Sequence, residues 1–379
     1  MPSPLRNEHG IALVVAIFAM VIIGALVASA FFIGMQETRV GRNTIRLQQA
    51  LAAAEEGVTQ RVALWNPAVT NRITIGDSLA FSGAVSGSAG WYRGYVLRLD
   101  SMIYLVSAEG FSQDSTARQR VGMLTRLRPV ELNIRASLET QGQVNANGTV
   151  TIQGEDQNPD NWSMCSSPSD TLPGVLTPEA DSVSEQGATD ITGSPDVAED
   201  GSINDSTLTH FGDTYFDDLE SLASIYFSGG GNIQAVPSAT GGVCNTGVQT
   251  NWGEPYYVAV KGTQPVTACQ NYYPVVFSNG DLTVNGRRGQ GVLIVKGDLN
   301  IQGGFEWHGP ILVKGTVSFA GTGNKVYGGI VAANVITAND NNSITGTADI
   351  VYSGCAIAQA TAFGAVAWPL NERAWVNIY

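Results

Sequence analysis

Charge is scarce in this sequence. Only 14% of its 379 residues are Asp, Glu, Lys or Arg, and 33 acidic residues outnumber 20 basic ones, giving a net charge of −13. A chain so short of cations lacks the basic face that phosphate backbones demand, which argues against nucleic acid as a partner. The same deficit argues against electrostatic attachment to anionic lipid, so any membrane contact must be hydrophobic. Histidine is rarer still: His9, His210 and His308. The four cysteines, Cys165, Cys244, Cys269 and Cys355, form no CxxC pair and have no histidine near them in sequence, which disfavours zinc.

What is plentiful points the other way. Hydrophobic residues make up 44% of the chain and glycines number 44, the composition of a folded, turn-rich β protein. Four cysteines fit two disulfides in an oxidising compartment, with three possible connectivities, or else remain buried thiols. Cys244 and Cys269 flank a 24-residue segment holding Trp252, Tyr256 and Tyr257. A bridge between them would clamp that segment and leave Cys165 to pair with Cys355.

The one long hydrophobic run lies at the start. Gly10 to Met35 is 26 residues without a charge, enough helix to cross a hydrocarbon core of roughly 30 Å. Ala28-Ser29-Ala30 offers a signal-peptidase site, the alternative reading. Against it, helix formers continue to Leu64 with no proline before Pro67, and Val40, Ile45, Leu47, Leu51, Val58 and Val62 recur among Arg, Gln and Glu. The expectation is one rod, apolar first and amphipathic afterwards.

Ten mostly polar residues ending in Gly10, an apolar helix from Ile11, and the segment Leu47–Gly57 (LQQALAAAEEG) resemble the PilX-type minor pilins and are similar to the K-type pseudopilin of type II secretion. Ala54-Glu55-Glu56-Gly57 matches the family's AEAG-like signature with Glu56 in place of its second Ala. The resemblance implies a prepilin peptidase cutting between Gly10 and Ile11, methylation of the new N-terminus, and an inner-membrane helix that later joins other pilin-like subunits in a filament. It implies that Leu13, Val14, Ile17, Phe18, Val21, Ile22 and Leu26 carry that assembly. Val15 stands where most pilins have Glu, as in K-type and many PilX-type chains, which suits a minor subunit. The basic residues run counter to this topology: Arg6 precedes the span, whereas Arg39, Arg42 and Arg46 follow it.

Beyond Pro67, residues 91–98, 102–108 and 118–128 read as three strands of a small antiparallel sheet, whose role would be to cover the apolar stripe of the helix's second half. A repeat follows. Val295, Gly297, Leu299, Ile301 and Gly303 return 18 residues later as Val313, Gly315, Val317, Phe319 and Gly321, and are preceded by Gly280, Leu282, Val284 and Gly286. The repeat fades into Val331, Ala333 and Val335. Alternating apolar residues bracketed by glycine at that period suit coils of a parallel β-solenoid, of a pattern similar to bactofilins; an antiparallel sandwich is the competitor. The phrase GTVTIQG at 148–154 places the start near Leu132. The fold expected is therefore α+β. Residues 1–10 form a leader, 11–66 a helix spanning the membrane at 11–35, 67–130 the sheet, and 131–379 the solenoid, with an excursion at about 157–272. Within it, Pro178–Asp205 reads as exposed loop and Phe211–Phe227 as a docking helix.

Candidate chemistry is thin. Gly76-Asp77-Ser78-Leu79 spells the GDSL hydrolase motif, but neither His210 nor His308 has the family's Asp three residues ahead, so the serine lacks its base. Asp281 and Asp298 occupy equivalent repeat positions, where Asp after Gly reads as a turn former before a sugar, calcium or catalytic carboxylate. Asn339-Asp340-Asn341-Asn342 is oxygen-rich but lacks the pattern of a calcium loop. Trp307, Trp368 and Trp375 read as core or end caps, and no motif calls for a cofactor. The expectation is a non-enzymatic minor pilin or pseudopilin-like subunit, single-pass in the inner membrane with its C-terminal region periplasmic, reaching the cell surface in a filament. The alternatives are an uncleaved bactofilin-like scaffold and an exported β-helix enzyme acting on carbohydrate.

Overall fold

A computed structural model describes residues 9–87, 90–128, 132–168, 170–211, 214–260, 262–332, 341–370 and 374–377. The chain forms two compact units: one takes the residues up to Leu64, Gly76–Thr125 and Pro369 onward, and the other takes Trp65–Ile75 and Arg126–Trp368.

In the first unit a single helix, α1 (His9–Ala63), runs without interruption. An antiparallel sheet follows: β1 (Ser78–Ala84), β2 (Trp91–Arg98), β3 (Ile103–Phe111) and β4 (Arg118–Arg128). The sequence pattern anticipated three of these strands. It missed β1, whose polar start holds the GDSL serine. The C-terminal strand Trp375–Asn377 also returns to this sheet, pairing antiparallel with β4 through Trp375 opposite Met123. In chain order the larger stretch of the second unit, Arg126–Trp368, falls between β4 and this strand, so residues 375–377 belong to the sheet and not to the expected solenoid.

The helix meets the sheet through small residues. Ala50, Ala53, Ala54, Gly57 and Val58 are buried, at spacings of three and four that keep them on one face. A side chain at Gly110 of β3 would lie 2.2 Å from both the Ala50 carbonyl oxygen and the Ala54 amide nitrogen, and one at Gly57 would lie 2.6 Å from the Tyr92 ring. The backbones therefore touch only because these positions carry no Cβ or a methyl. This corrects the expected covering of the large aliphatic stripe. Of that stripe the sheet buries Val58 and half-buries Val62, while Val40, Leu47 and Leu51 stay exposed.

The second unit is dominated by parallel ladders. One column of aligned residues runs Ile225, Val276, Leu293, Ile311, Ile330, Leu138, Val175 and Val197 across eight strands. A second runs Ile233, Val284, Ile301, Phe319, Ile344 and Ala146, and a third Trp307, Val326, Ile350, Ile152 and Ile191. All three belong to one apolar core. Burying each such side chain contributes about 1.5–3 kcal/mol, so stacked identical positions supply the unit's main stabilisation. Turns between strands need glycine where chains stack closely: a Cβ at Gly297 would fall 2.2 Å from Asp281 Oδ1.

Spatial order departs from chain order. Strands at 138–153 stack on one side on their sequence neighbours at 175–192, and on the other not on the strands at 225–235 but on the last ones, Ile330 against Leu138 and Asn341–Tyr352 against Gln143–Gln153. Two expected elements are corrected accordingly. Pro178–Asp205 is not loop, because Val183–Thr192 and Val197–Glu199 are strands that extend the ladders. Phe211–Phe227 is not one helix: it holds a short 3-10 turn at Phe216–Leu222 and a ladder strand at Ile225–Phe227. Its helical spacing of apolar and aromatic residues reflects the turn burying Phe216, Leu219 and Leu222. Positions 333–340 of the expected repeat lie outside the described residues.

Candidate functional site

The first candidate site is α1 itself. From Leu13 to Met35 every large apolar side chain is exposed, from 44% at Met35 to 74% at Met20, and no charge interrupts the run. Leu13, Val14, Ile17, Phe18, Val21, Ile22 and Leu26, the residues assigned to assembly, all lie in this band. At 1.5 Å per residue it spans about 35 Å, more than a bilayer's hydrocarbon core. Water does not tolerate an apolar surface of this extent, so it calls for lipid or for other apolar helices. Gly10 and Ile11 lie in the first turn of α1 by backbone; their side chains fall outside the described residues.

Beyond the apolar band the exposed stripe continues. Ile33, Val40 and Leu47 recur every seven residues, with Leu51 one turn further, on the flank of the buried small-residue face. Polar contacts pin the rod on its sheet. Arg46 Nη2 lies 2.7 Å from Asp114 Oδ2, and Tyr92 donates its hydroxyl to Gln60 Oε1 at 2.8 Å. Thr116 and Ser112 donate to Asp114, and these bonds, ahead of the Arg46 charge, hold its carboxyl down at about 2.

The cysteines pair as Cys165–Cys355 and Cys244–Cys269, with Cα separations of 5.8 and 5.0 Å. Cys355 opens a helix, Gly354–Phe363, capped by the Ser353 hydroxyl accepting from the Ala356 amide. Because Gln143–Gln153 and Asn341–Tyr352 are parallel partners, Cys165 and Cys355 follow adjacent strands. Their bridge locks the joint between the inserted chain's start and end.

The other candidate residues do not converge on chemistry. Ser78 belongs to the first unit, whereas His210 and His308 belong to the second. His210 Nδ1 bonds the Ser206 carbonyl at 2.7 Å. Asp281 Oδ1 accepts from the Asp298 amide, and Asp298 Oδ1 from the amide and hydroxyl of Thr316, so each aspartate splints the turn of the next strand pair. Trp307 is fully buried, while Trp368, under Arg128, and Trp375 are exposed. Asn339 and Asp340, with the side chains of Asn341 and Asn342, lie outside the described residues. Among the described residues no three His, Cys, Asp or Glu gather as a metal site.

One cluster escaped the sequence reading. Glu254, fully buried, takes both arms of Arg288: Nε donates to Oε1 at 2.6 Å and Nη2 to Oε2 at 2.7 Å. Arg288 also lies over the Tyr256 ring, 4.5 Å from its centre, and Tyr256 donates its hydroxyl to Glu306. Burial first and the Glu306 carboxylate second push the Tyr256 phenol well above its ordinary range. Burial pushes Glu306 up, but the His308 hydrogen bond, 3.0 Å from Oε1, with Tyr256 and Lys325, outweighs it and the net shift is downward. Arg288, Glu306, Lys325 and Asp349 occupy one column on successive strands, so charges alternate along the ladder. Their sequence separations of 18, 19 and 24 were the available signal. A buried bidentate pair fixes the loop that carries Glu254, and breaking such a pair typically costs about 3–5 kcal/mol.

No protein-family model matches the chain, and no curated protein matches it. Among solved structures, the competence-associated pilin ComZ from Thermus thermophilus is similar to it at 12% identity and a TM-score of 0.23, over 86% of this chain and 96% of that one.

Proposed function

We propose that this chain is a minor pilin or pseudopilin-like subunit of a type IV filament system. The observation that carries the reading is α1: a 55-residue helix, exposed and uncharged through its first half, then seated on an antiparallel sheet by Ala50, Ala53, Ala54 and Gly57. An anchor needs only the first half. A rod that must leave lipid and pack among similar rods needs the rigid continuation and the exposed stripe at Val40, Leu47 and Leu51.

On this reading prepilin peptidase cuts between Gly10 and Ile11 and the new N-terminus is methylated. Residues 11–35 hold the chain in the inner membrane, single-pass with the remainder periplasmic, until assembly machinery passes the helix to neighbouring subunits at the cell surface. The aligned aliphatic columns of the second unit are coils of a β-solenoid displayed as a head, with no catalytic role. Two disulfides fit such an oxidising location.

The test is the N-terminus of protein extracted from membranes. Intact-mass and N-terminal sequencing should give a chain beginning at methylated Ile11, and G10V should leave the leader attached. An intact Met1 in the native protein refutes the proposal and returns the uncleaved scaffold.

A further inference from the structure

The sheet of the first unit has a second face. Tyr92, Val96, Val106, Ala108 and Gly110 alternate toward α1, so Arg93, Tyr95, Ser107 and Glu109 point the other way. There a cavity of 440 Å³ opens, lined by Ser82, Arg93, Tyr95, Ser107, Glu109 and Arg120, with Ala80 beside them; Phe81 and Gly94 offer only backbone, since their pairing puts the Phe81 side chain on the α1 face. Its volume falls within the range of small-molecule sites.

Its charge is what singles it out. Three arginines converge on one carboxylate. Arg93 donates from Nε and Nη2 to Glu109 Oε2, at 3.1 and 2.9 Å. The other oxygen, Oε1, faces Arg118 at 3.6 Å and Arg120 at 3.7 Å. Charge-assisted bonds close to about 2.7–2.9 Å, so the last two guanidinium groups are drawn near without being engaged. Among the described residues no other acid lies within 4.0 Å of these arginines. Three positive charges against one negative leave two uncompensated, in a chain whose net charge is −13. Arg118 and Arg120 keep 74% and 45% of their side chains exposed, while the Glu109 side chain is 10% exposed and Arg93 stacks 5.1 Å over the Phe111 ring. The anchor is fixed and the remaining donors are open.

We propose that this pocket binds an oxyanion, carboxylate or phosphate, carried on a group of monosaccharide size. Arg118 and Arg120 clamp the oxyanion with their planar forks, which match both geometries. Ser82 and the Tyr95 ring, with Ala80 opposite Tyr95 on the neighbouring strand, hold the body of the ligand. Neither the filament reading nor its failure bears on this site, because the pocket lies wholly within the sheet.

The test uses the full chain in detergent micelles at low ionic strength, titrated calorimetrically with glucuronate, glucose 6-phosphate and glucose. At least one of the two acids should bind tenfold or more tightly than glucose, and the stronger of them identifies the oxyanion. R118Q/R120Q should weaken that acid at least tenfold and leave thermal unfolding unchanged, since both side chains are exposed; K314Q should change nothing. Added NaCl should weaken the acid and not glucose. Equal affinity for all three probes, no binding of either acid, or an undiminished acid affinity in R118Q/R120Q overturns the proposal.

Discussion

Removing the two disulfides separately should destabilise the protein unequally, by amounts set by the loops they close. Cys165–Cys355 joins residues 190 apart, and Cys244–Cys269 residues 25 apart. If the bridges act by restricting the unfolded chain, the longer loop is worth about 5 kcal/mol and the shorter about 3.5 kcal/mol. The perturbation is paired replacement, C165A/C355A against C244A/C269A, so that no free thiol remains to exchange. The assay is urea unfolding of the oxidised full chain in detergent, followed by fluorescence of Trp162, Trp252 and Trp307, which are buried in the second unit. C165A/C355A should lower the midpoint further, by a difference of roughly 1.5–2 kcal/mol, and should raise the slope because the freed unfolded chain exposes more surface. The structure adds a reason for the larger effect. The bridge spans the joint where strands 138–140 and 143–153 stack on strands 324–332 and 341–352, and without it that joint rests on ladder hydrogen bonds and the apolar columns alone. A larger loss in C244A/C269A, or two losses within error of zero, would refute this reasoning.

Two further outcomes follow from the first unit. G110A should destabilise it by about 1–3 kcal/mol, since the added carbon meets backbone atoms of α1 that cannot rotate away; thermal unfolding that matches wild type would sink the close-packed interface. The Asp114 carboxyl is depressed to about 2 from an unfolded value near 3.9, so its contribution is complete above about pH 4 and is lost as pH falls through about 2. D114N should remove that part of the acid dependence, seen as a flatter unfolding temperature between about pH 4 and pH 2.

Much of this fold was legible because repetition writes itself into sequence. The 17- and 18-residue returns of Leu282, Leu299 and Val317 are the register of the ladder in which those residues are partners. Where the sequence distance between ladder partners lengthens, the signal fades. Phe319 aligns with Ile344, 25 residues on, and Leu138 with Val175, 37 residues on, so no fixed period finds them. Val183–Thr192 was missed for a different reason. Among the described residues it pairs only with Gln143–Gln153, as an edge strand, and its exposed Glu185, Gln186, Gly187 and Ala188 carry the polarity of a loop. The order in which strands stack, last upon first, leaves no local trace at all, because it depends on which ends meet and not on any residue's preference. The arginine pocket was hidden likewise, since it gathers charges from separate strands, and the Glu254 cluster left only the spacing of Arg288, Glu306 and Lys325, with nothing to mark the loop that completes it.

The helix teaches the opposite lesson, since there the sequence pattern was clear and the inference from it went astray. Apolar periodicity marks which side chains avoid water, and Val40, Leu47, Leu51, Val58 and Val62 share one stripe. It does not say which partner they meet. A sheet can approach a helix to backbone contact only over residues without bulk, and Ala50, Ala53, Ala54 and Gly57 make that face, with Gly110 as its complement. Close contact there turns the larger residues aside, to the flank. The Leu47–Gly57 segment therefore has two faces: its alanines and glycine pack on the chain's own sheet, and its leucines stay exposed. On the proposed filament reading, a helix buried by its leucines would have nothing left to offer a neighbouring helix.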